Sequence, residues 1–212
     1  MQHRDDIRGR ILRSLIREPA ADAPLHGAPT GDHDLDPGWQ RPATAKPLTP
    51  AAVLVPLVDH REPTVLLTVR AASLADHPGQ ISFPGGRVEP GDADAVATAL
   101  REAHEEIGID PQHVEVLGCM AEQRTGTGFT VTPVVGRVRA GFALTLSAEE
   151  VADAFEVPLG FVLDAANHRR ETAVLRGVTR SYYVLLHGER RIWGATAAIL
   201  VDLATLIQKA AA

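Results

Sequence analysis

The stretch SFPGGRVEPGDADAVATALREAHEEIGID, residues 82–110, divides into a glycine loop and an acidic helix. Pro84–Gly86 cannot continue a regular element, so the chain is expected to turn there. Asp92 or Asp94 offers an N-cap for the helix, and Gly108 offers a left-handed C-cap. We therefore predict a tight loop that leads directly into a capped helix.

The predicted helix has an apolar side and an acidic side. Glu102, Glu105 and Glu106 share an arc about 100° wide, so their carboxylates repel one another unless a cation lies between them. Mg²⁺ and Mn²⁺ prefer oxygen ligands of this kind. A solvated acidic face is the alternative for the three glutamates taken alone. The apolar stripe that would face the core consists of Val96, Ala99, Leu100, Ala103 and Ile107.

Two neighbouring residues favour a metal site over a solvated face. Gly86 has no Cβ, so its backbone can approach a metal closely. Arg101 would orient one of the carboxylates. One of the glutamates, or an acid later in the chain, would take a proton from water.

These residues resemble the Nudix box. The pattern begins with Gly86, continues with an acid after a gap of five residues, and ends with the run Arg101–Ile109. Its second half, Arg-Glu-x-x-Glu-Glu-x-Gly, is complete. The acid is Asp92 rather than glutamate, and it stands one residue further from Arg101 than in the general pattern. We therefore interpret Asp92 as a loop or capping residue and not as a metal ligand.

Two segments before the box are similar to the coenzyme A pyrophosphatase branch of the Nudix hydrolases. They are Leu66–Arg70 (LLTVR) and His77–Gly86 (HPGQISFPGG). That branch has a similar aspartate and a longer spacing. The serine that usually follows the arginine is Ala71 here. The resemblance covers roughly residues 50–200.

The resemblance implies a fold, a reaction and a cofactor. The fold would be a Nudix-type α/β/α sandwich with a mixed β-sheet. The reaction would be hydrolysis of coenzyme A or a thioester of it to 3′,5′-ADP and 4′-phosphopantetheine or its acylated form, with Mg²⁺ or Mn²⁺ bound. We expect Glu105, Glu102 and Arg101 to be catalytic, and Glu102, Glu105, Glu106 and Gly86 to hold the metal. Nudix enzymes often take a further carboxylate from a later loop, where Glu149 and Glu150 are candidates.

Five further residues are candidates for substrate binding. Arg70 would offer a planar donor fork to a phosphate, or form a surface salt bridge. His77 would contact the substrate, or only hydrogen-bond the backbone. The loop that holds Arg124, Gly126 and Gly128 would approach a nucleotide through its backbone, or be a plain hairpin loop; the resemblance favours the first reading.

The strand pattern indicates an α/β (α+β) domain with a mixed sheet. Residues 51–58 and 64–70 are predicted to form a hairpin. Residues 130–138 contain Pro133, which predicts an edge or bulged strand. Ser147 and Glu150 have the spacing of a capping box, which predicts a helix start there.

A chain of 212 residues holds one domain with an appendage. Residues 1–48 are predicted to be an N-terminal amphipathic helix, over 4–17, and a Pro/Gly-rich linker, over 18–48. Residues 49–212 would form the Nudix domain. A homodimer is expected from the spare N-terminal helix and from the prevalence of two-fold dimers.

The composition argues against several classes of function. The net charge of −6 and the 4% aromatic residues disfavour nucleic acid and membrane partners. A small nucleotide partner of the coenzyme A type is what the resemblance to that branch implies. The single cysteine, Cys119, is expected to be a small buried residue. The chain has no apolar run long enough to cross a membrane and begins without a signal peptide, so we predict a cytoplasmic enzyme.

Two rival functions stay open. A Nudix enzyme for another substrate, such as ADP-ribose or a dinucleotide, would have the same box. A non-catalytic nucleotide-sensing domain would keep the fold, but it predicts a damaged set of glutamates.

Overall fold

The computed structural model describes residues 47–74, 77–175 and 178–209, together with Leu35. The predicted helix over 4–17 and nearly all of the predicted linker lie outside the described residues. Eleven strands and three α-helices are described. The strands are β1 (Thr49–Val58), β2 (Thr64–Arg70), β3 (Ile81–Ser82), β4 (Gly85–Arg87), β5 (Val114–Cys119), β6 (Gln123–Arg124), β7 (Phe129–Val138), β8 (Val151–Pro158), β9 (Arg169–Leu175), β10 (Val178–His187) and β11 (Arg190–Trp193). The helices are α1 (Ala95–Ile107), α2 (Leu159–Leu163) and α3 (Gly194–Lys209).

The larger sheet is mixed, and β1 lies at its centre. The strands run in the order β3-β2-β1-β7-β5, while β4 pairs with β1, β6 with β7 and β8 with β2. β1 is parallel to β7 along its whole length and antiparallel to β2, so the predicted hairpin of residues 51–58 and 64–70 is confirmed. The α/β class with a mixed sheet is likewise confirmed.

Residues 130–138 were predicted to form an edge or bulged strand. The edge position is wrong, because β7 lies between β1 and β5, whereas the ladder that β7 forms with β5 does contain a bulge, between Val116 and Gly118. Pro133 is tolerated inside the sheet because its missing N–H faces the gap between the two short strands β5 and β6, which pair with the same side of β7. β5 pairs with β7 up to Val134, and β6 resumes the pairing at Val131. Only the carbonyl of Pro133 is used on that side, where it accepts from the N–H of Met120 at 2.9 Å.

The two long helices cover opposite faces of the larger sheet. Ala52 and Leu54 of β1 pack in one cluster with Ala99 and Ala103 of α1. The alternate residue Val55 packs in the main core with α3, as the two-residue period of a strand requires. α3 is buried over most of its length. None of the helices described is both long and apolar enough to cross a membrane.

The smaller sheet is antiparallel, with the order β11-β10-β9. It packs against the larger sheet where β11 approaches β3. Thr196, at the start of α3, donates from its hydroxyl to the carbonyl of Ile81 at 3.0 Å. The segment just before the glycine loop therefore rests on the smaller sheet and on α3.

The prediction of a helix start at Ser147 is wrong. The carbonyl of Ser147 accepts from the N–H groups of Glu150 and Val151 at 3.0 and 2.8 Å, which closes a turn. β8 begins at once after this turn and pairs with β2. The local capping pattern is overridden because the following residues complete the sheet.

Candidate active site

The prediction that Pro84–Gly86 cannot continue a regular element is wrong at the two glycines: the chain bends at Pro84, but Gly85–Arg87 forms β4 and pairs antiparallel with β1. This glycine loop, which includes β4, lies directly against α1. An added Cβ at Gly86 would overlap the carboxylate of Glu102, and one at Gly85 would overlap the carbonyl of Ala52. The N–H of Gly85 donates to Glu106 Oε2 at 3.3 Å. Glycine is therefore required at both positions for the loop to approach the helix so closely.

The ends of α1 are the ones predicted. Asp94 is the N-cap, and its side chain accepts from the N–H of Ala97 at 2.8 Å. Gly108 is the left-handed C-cap, with φ of 73°, and its N–H donates to the carbonyl of His104. These caps define where the helix begins and ends, and so which face carries the glutamates.

Asp92 and Arg101 clamp the loop to the helix. Asp92 accepts from Arg101 Nε and Nη2, both at 3.0 Å, and from the hydroxyl of Thr98 at 2.8 Å. Its side chain is only 6% exposed, and the bonds from Arg101 hold the pKa of this carboxyl well below its usual range. Asp92 thus belongs to the loop, as predicted, but its contact with Arg101 was missed. A single acid nine residues before an arginine carries no signal that the two meet.

Arg101 connects this clamp to two of the box glutamates. Its Nη1 donates to Glu102 Oε1 and to Glu105 Oε2, both at 3.0 Å. Its Nη2 also donates to the carbonyl of Arg87 at 3.2 Å. Every nitrogen of the guanidinium is therefore occupied, which makes Arg101 an orienting residue and leaves it little capacity for substrate.

Three carboxylates meet beside the glycine loop. Glu102, Glu106 and Glu150 each place an oxygen within 4.8 Å of the other two. Glu102 and Glu106 come from α1, whereas Glu150 comes from the turn before β8. Two backbone bonds fix that turn: the N–H of Ala71 donates to the carbonyl of Glu150 at 2.8 Å, and the N–H of Ser147 donates to the carbonyl of Glu106 at 2.9 Å.

Burial makes two of these carboxylates difficult to ionise. Glu106 is only 5% exposed, and its burial raises its pKa to about 8, with the neighbouring Glu102 and Glu150 adding to the rise. The pKa of Glu102 is also raised, chiefly by burial, while Arg101 opposes the rise. Because burial and mutual repulsion disfavour their charged forms, the three acids need a nearby positive charge to ionise together at neutral pH.

The cluster fits a hard divalent cation. Its donors are all oxygens, as Mg²⁺ and Mn²⁺ prefer. The carboxylates are close enough to share one ion, and the missing Cβ of Gly86 leaves room for the Glu102 carboxylate. Glu102, Glu106 and Glu150 would be the ligands among the described residues.

Glu105 lies outside this cluster. Its side chain is 53% exposed and is held by Arg101. The expectation that Glu102 and Glu106 lie together accords with the geometry, whereas Glu105 as a metal ligand stays a prediction. Glu150 fills the third position, as one of the two later acids considered in the sequence.

Of the predicted substrate residues, Arg70 interacts electrostatically with the cluster. It ends β2, and its positive charge opposes the rise in the pKa of Glu106. Its Nε is buried and has no hydrogen-bond partner among the described residues. His77 is exposed, with a φ of 58°, and its carbonyl accepts from the N–H of Gln80. Gln80 and Gly79 in turn bond to the backbone of Arg70, at 2.9 and 3.1 Å.

The loop of Arg124, Gly126 and Gly128 joins β6 to β7. Arg124 pairs with Thr130, which by strand alternation lies on the sheet face that α1 covers. Both glycines have open space around them, and Gly128 has a φ of 99°. The loop is thus a hairpin loop on the same face as the glutamates, at the end where α1 begins.

Comparisons with known proteins agree with this geometry. The NUDIX domain family model matches residues 47–171. A protein named "Uncharacterized Nudix hydrolase NudL" from Photorhabdus laumondii is 42% identical over 158 residues, which cover 74% of this chain and 84% of the relative. Its namesake from Enterobacter sp. (strain 638) is 43% identical over 157 residues, covering 74% and 82%.

A solved structure extends the agreement in fold. The crystal structure of a MutT/nudix family protein from Enterococcus faecalis has a TM-score of 0.50 and covers 98% of this chain and 74% of its own, at 14% identity. At that identity the likeness shows the fold alone. The family model and the curated relatives together show that the chain belongs to the Nudix family.

Proposed function

We propose that this Nudix protein hydrolyses the pyrophosphate bond of coenzyme A or of its thioesters. The products would be 3′,5′-ADP and 4′-phosphopantetheine or its acylated form. Hydrolysis of a pyrophosphate-containing substrate is the activity of the family. The main support for this activity in the present chain is the group of three carboxylates packed against a glycine loop, because that arrangement suits a divalent cation and an anionic substrate.

The choice of coenzyme A is supported by the way the two motif segments pair. Leu66–Arg70 forms most of β2, and His77–Gly86 contains β3 and the start of β4. Thr68 pairs with Ser82, and the backbone of Arg70 is bonded to Gly79 and Gln80. The two segments that resemble the coenzyme A branch are therefore paired with each other, and the second one leads into the glycine loop beside the glutamates.

Glu102, Glu106 and Glu150 would hold Mg²⁺ or Mn²⁺, with Gly86 at the backbone beside them. The chemistry that such an ion supplies when bound is neutralisation of negative charge on the pyrophosphate oxygens. Arg70 would add a guanidinium to the same oxygens, since its Nε is buried and has no partner among the described residues.

Arg101 would keep Glu102 and Glu105 in fixed orientations through its two Nη1 bonds. Glu105 is exposed and lies outside the cluster, so it can accept a proton from water at the rim of the site. Of the three residues expected to be catalytic, we retain Glu105 as the proposed proton acceptor, Glu102 as a proposed metal ligand and Arg101 as a positioning residue.

His77, Arg124, Gly126 and Gly128 stay proposed substrate contacts. His77 adopts a left-handed backbone conformation that only glycine adopts readily, and such conformations concentrate at functional sites. Arg124 is exposed on the sheet face that carries the glutamates. A cytoplasmic location and a homodimer also stay predictions from the sequence.

Product analysis by chromatography tests the substrate. The full chain would be incubated with Mg²⁺ or Mn²⁺ and with coenzyme A, acetyl-coenzyme A, ADP-ribose, NADH or diadenosine polyphosphates. We expect 3′,5′-ADP from the two coenzyme A compounds, and no product when a chelator is added. Cleavage of ADP-ribose or a dinucleotide alone would refute the coenzyme A proposal, and cleavage of none would favour a nucleotide-sensing domain.

A further inference from the structure

Among the described residues, strand β9 lies at an edge of the smaller sheet. It pairs with β10 over all seven residues, from Arg169 to Leu175, and lies at the end of the order β11-β10-β9. No strand among residues 47–74, 77–175 and 178–209 pairs with its other side. The outer row of N–H and C=O groups of β9 is thus a template for another strand.

The edge has few of the features by which proteins usually block such pairing, and its charged residues, Arg169, Arg170 and Glu171, are confined to its first three positions. β9 has neither a proline nor a lysine, and its register with β10 has no bulge. Thr172, Ala173 and Val174 are exposed, and Val174 is 71% exposed. The edge strand β5 of the larger sheet differs, because its register shifts between Val116 and Gly118. An open, regular edge with an exposed apolar side chain is typical of a pairing site.

We propose that β9 pairs antiparallel with β9 of a second copy of this chain, about a two-fold axis at Thr172. An axis perpendicular to the sheet keeps the same face outward in both copies, so only residues of like parity can stand opposite each other. The register that uses the whole strand sets Thr172 opposite itself, Glu171 opposite Ala173 and Arg170 opposite Val174.

The side chains favour this register over its neighbours. A register centred one residue earlier sets Glu171 opposite Glu171, and one centred two residues earlier sets Arg170 opposite Arg170. Like charges directly opposite destabilise a strand pair, whereas Thr–Thr pairs stabilise it. A register centred on Ala173 leaves Arg169 and Arg170 outside the paired part of the strands, so it does not use the whole strand.

Charge and apolar burial are also compatible with the pair. The two Glu171 side chains become diagonal neighbours, but Arg191 donates to each within its own copy, at 2.6 Å. Val174 would lose much of its exposed surface against the methylene stem of Arg170 from the other copy. A strand of unrelated sequence would find the same open edge but not this matched set of side chains.

A disulfide scan of the full chain tests the register. Residues directly opposite have Cβ atoms about 4.5–5.5 Å apart, and a small adjustment allows a disulfide. We expect Thr172→Cys to form a covalent dimer under mild oxidation and Ala173→Cys to stay largely unlinked. The unmodified chain is the control for Cys119, which is only 2% exposed.

Val174→Lys tests the interface without a cross-link. We expect the dissociation constant of the dimer in sedimentation equilibrium to rise roughly tenfold, since the change occurs on both sides of the axis. The melting temperature of the monomer should not change, because the side chain is exposed. A chain that is monomeric at every concentration would overturn the proposal and leave the edge to a partner of another sequence. A dimer that Val174→Lys does not weaken and Thr172→Cys does not link would place the interface elsewhere.

Discussion

Glu106 is a carboxylate with almost no exposed surface, at the centre of the proposed site. Its burial destabilises the charged form and is tolerated because the charged form would bind a cation. Glu106→Gln keeps the shape of the side chain and removes that charge. We expect the rate of pyrophosphate hydrolysis to fall by about two to three orders of magnitude.

Glu149→Gln is the matched control for this substitution. Glu149 is exposed and lies next to Glu150, but it is not part of the cluster. Steady-state rates with Mg²⁺ should be close to those of the unmodified chain. Equal losses in both variants would show that general surface charge, and not the cluster, supports the reaction.

The raised pKa of Glu106 predicts how stability depends on pH in the metal-free protein. The pKa of the unfolded carboxyl is near its ordinary value of 4.5, whereas burial raises the pKa of the folded one to about 8. Between these values the folded state binds more protons, so stability falls as pH rises through this window and levels off above it. The loss is on the order of a few kcal/mol.

Urea unfolding with a chelator present, across this pH range, measures the effect. Glu106→Gln cannot ionise and should flatten the curve. Addition of Mn²⁺ should restore stability at the upper end of the range, because the ion binds the ionised form. A curve that rises with pH in the metal-free protein would contradict the assigned shift.

At the scale of elements, the approach of β4 to α1 depends on Gly86. A Cβ at this position would overlap the Glu102 carboxylate, so Gly86→Ala must either displace Glu102 or move the loop. We expect a lower melting temperature and a loss of Mg²⁺-dependent activity. Gly91→Ala is the control, since a Cβ there meets open space. Unchanged activity in Gly86→Ala would show that Glu102 need not lie against the loop.

The clamp between Asp92 and Arg101 joins the same two elements. Asp92→Ala removes the partner of Arg101 Nε and leaves Arg101 less restrained beside Glu102 and Glu105. We expect a lower melting temperature and weaker Mn²⁺ binding by calorimetry. Glu89→Ala removes an equal charge from the same loop, where only the backbone of Glu89 bonds to Asp92. If Glu89→Ala gave the same loss, the clamp would have no specific role.

At the scale of the whole molecule, local features were predictable and distant pairings were not. Asp94 and Gly108 cap α1 through bonds to residues only a few positions away, so residue type alone indicated them. Cys119 is buried inside an apolar strand, as its neighbours predicted. The box glutamates share a helical face because helix geometry requires it.

The features that escaped prediction depend on contacts between distant parts of the chain. Pro133 suggested an edge or bulged strand, but did not indicate that the gap between β5 and β6 lets β7 stay inside the sheet. Ser147 suggested a helix, but β8 pairs with β2 immediately after the turn.

We propose that carboxylates from two separate elements, α1 and the turn before β8, form one divalent metal centre. Titration of Mn²⁺ into the full chain, followed by electron paramagnetic resonance, compares Glu150→Gln with Glu149→Gln. We expect Glu150→Gln to weaken Mn²⁺ binding roughly tenfold or more, and Glu149→Gln to bind like the unmodified chain. Equal affinities in all three proteins would rule out a ligand role for Glu150, since the site would then lie on α1 alone.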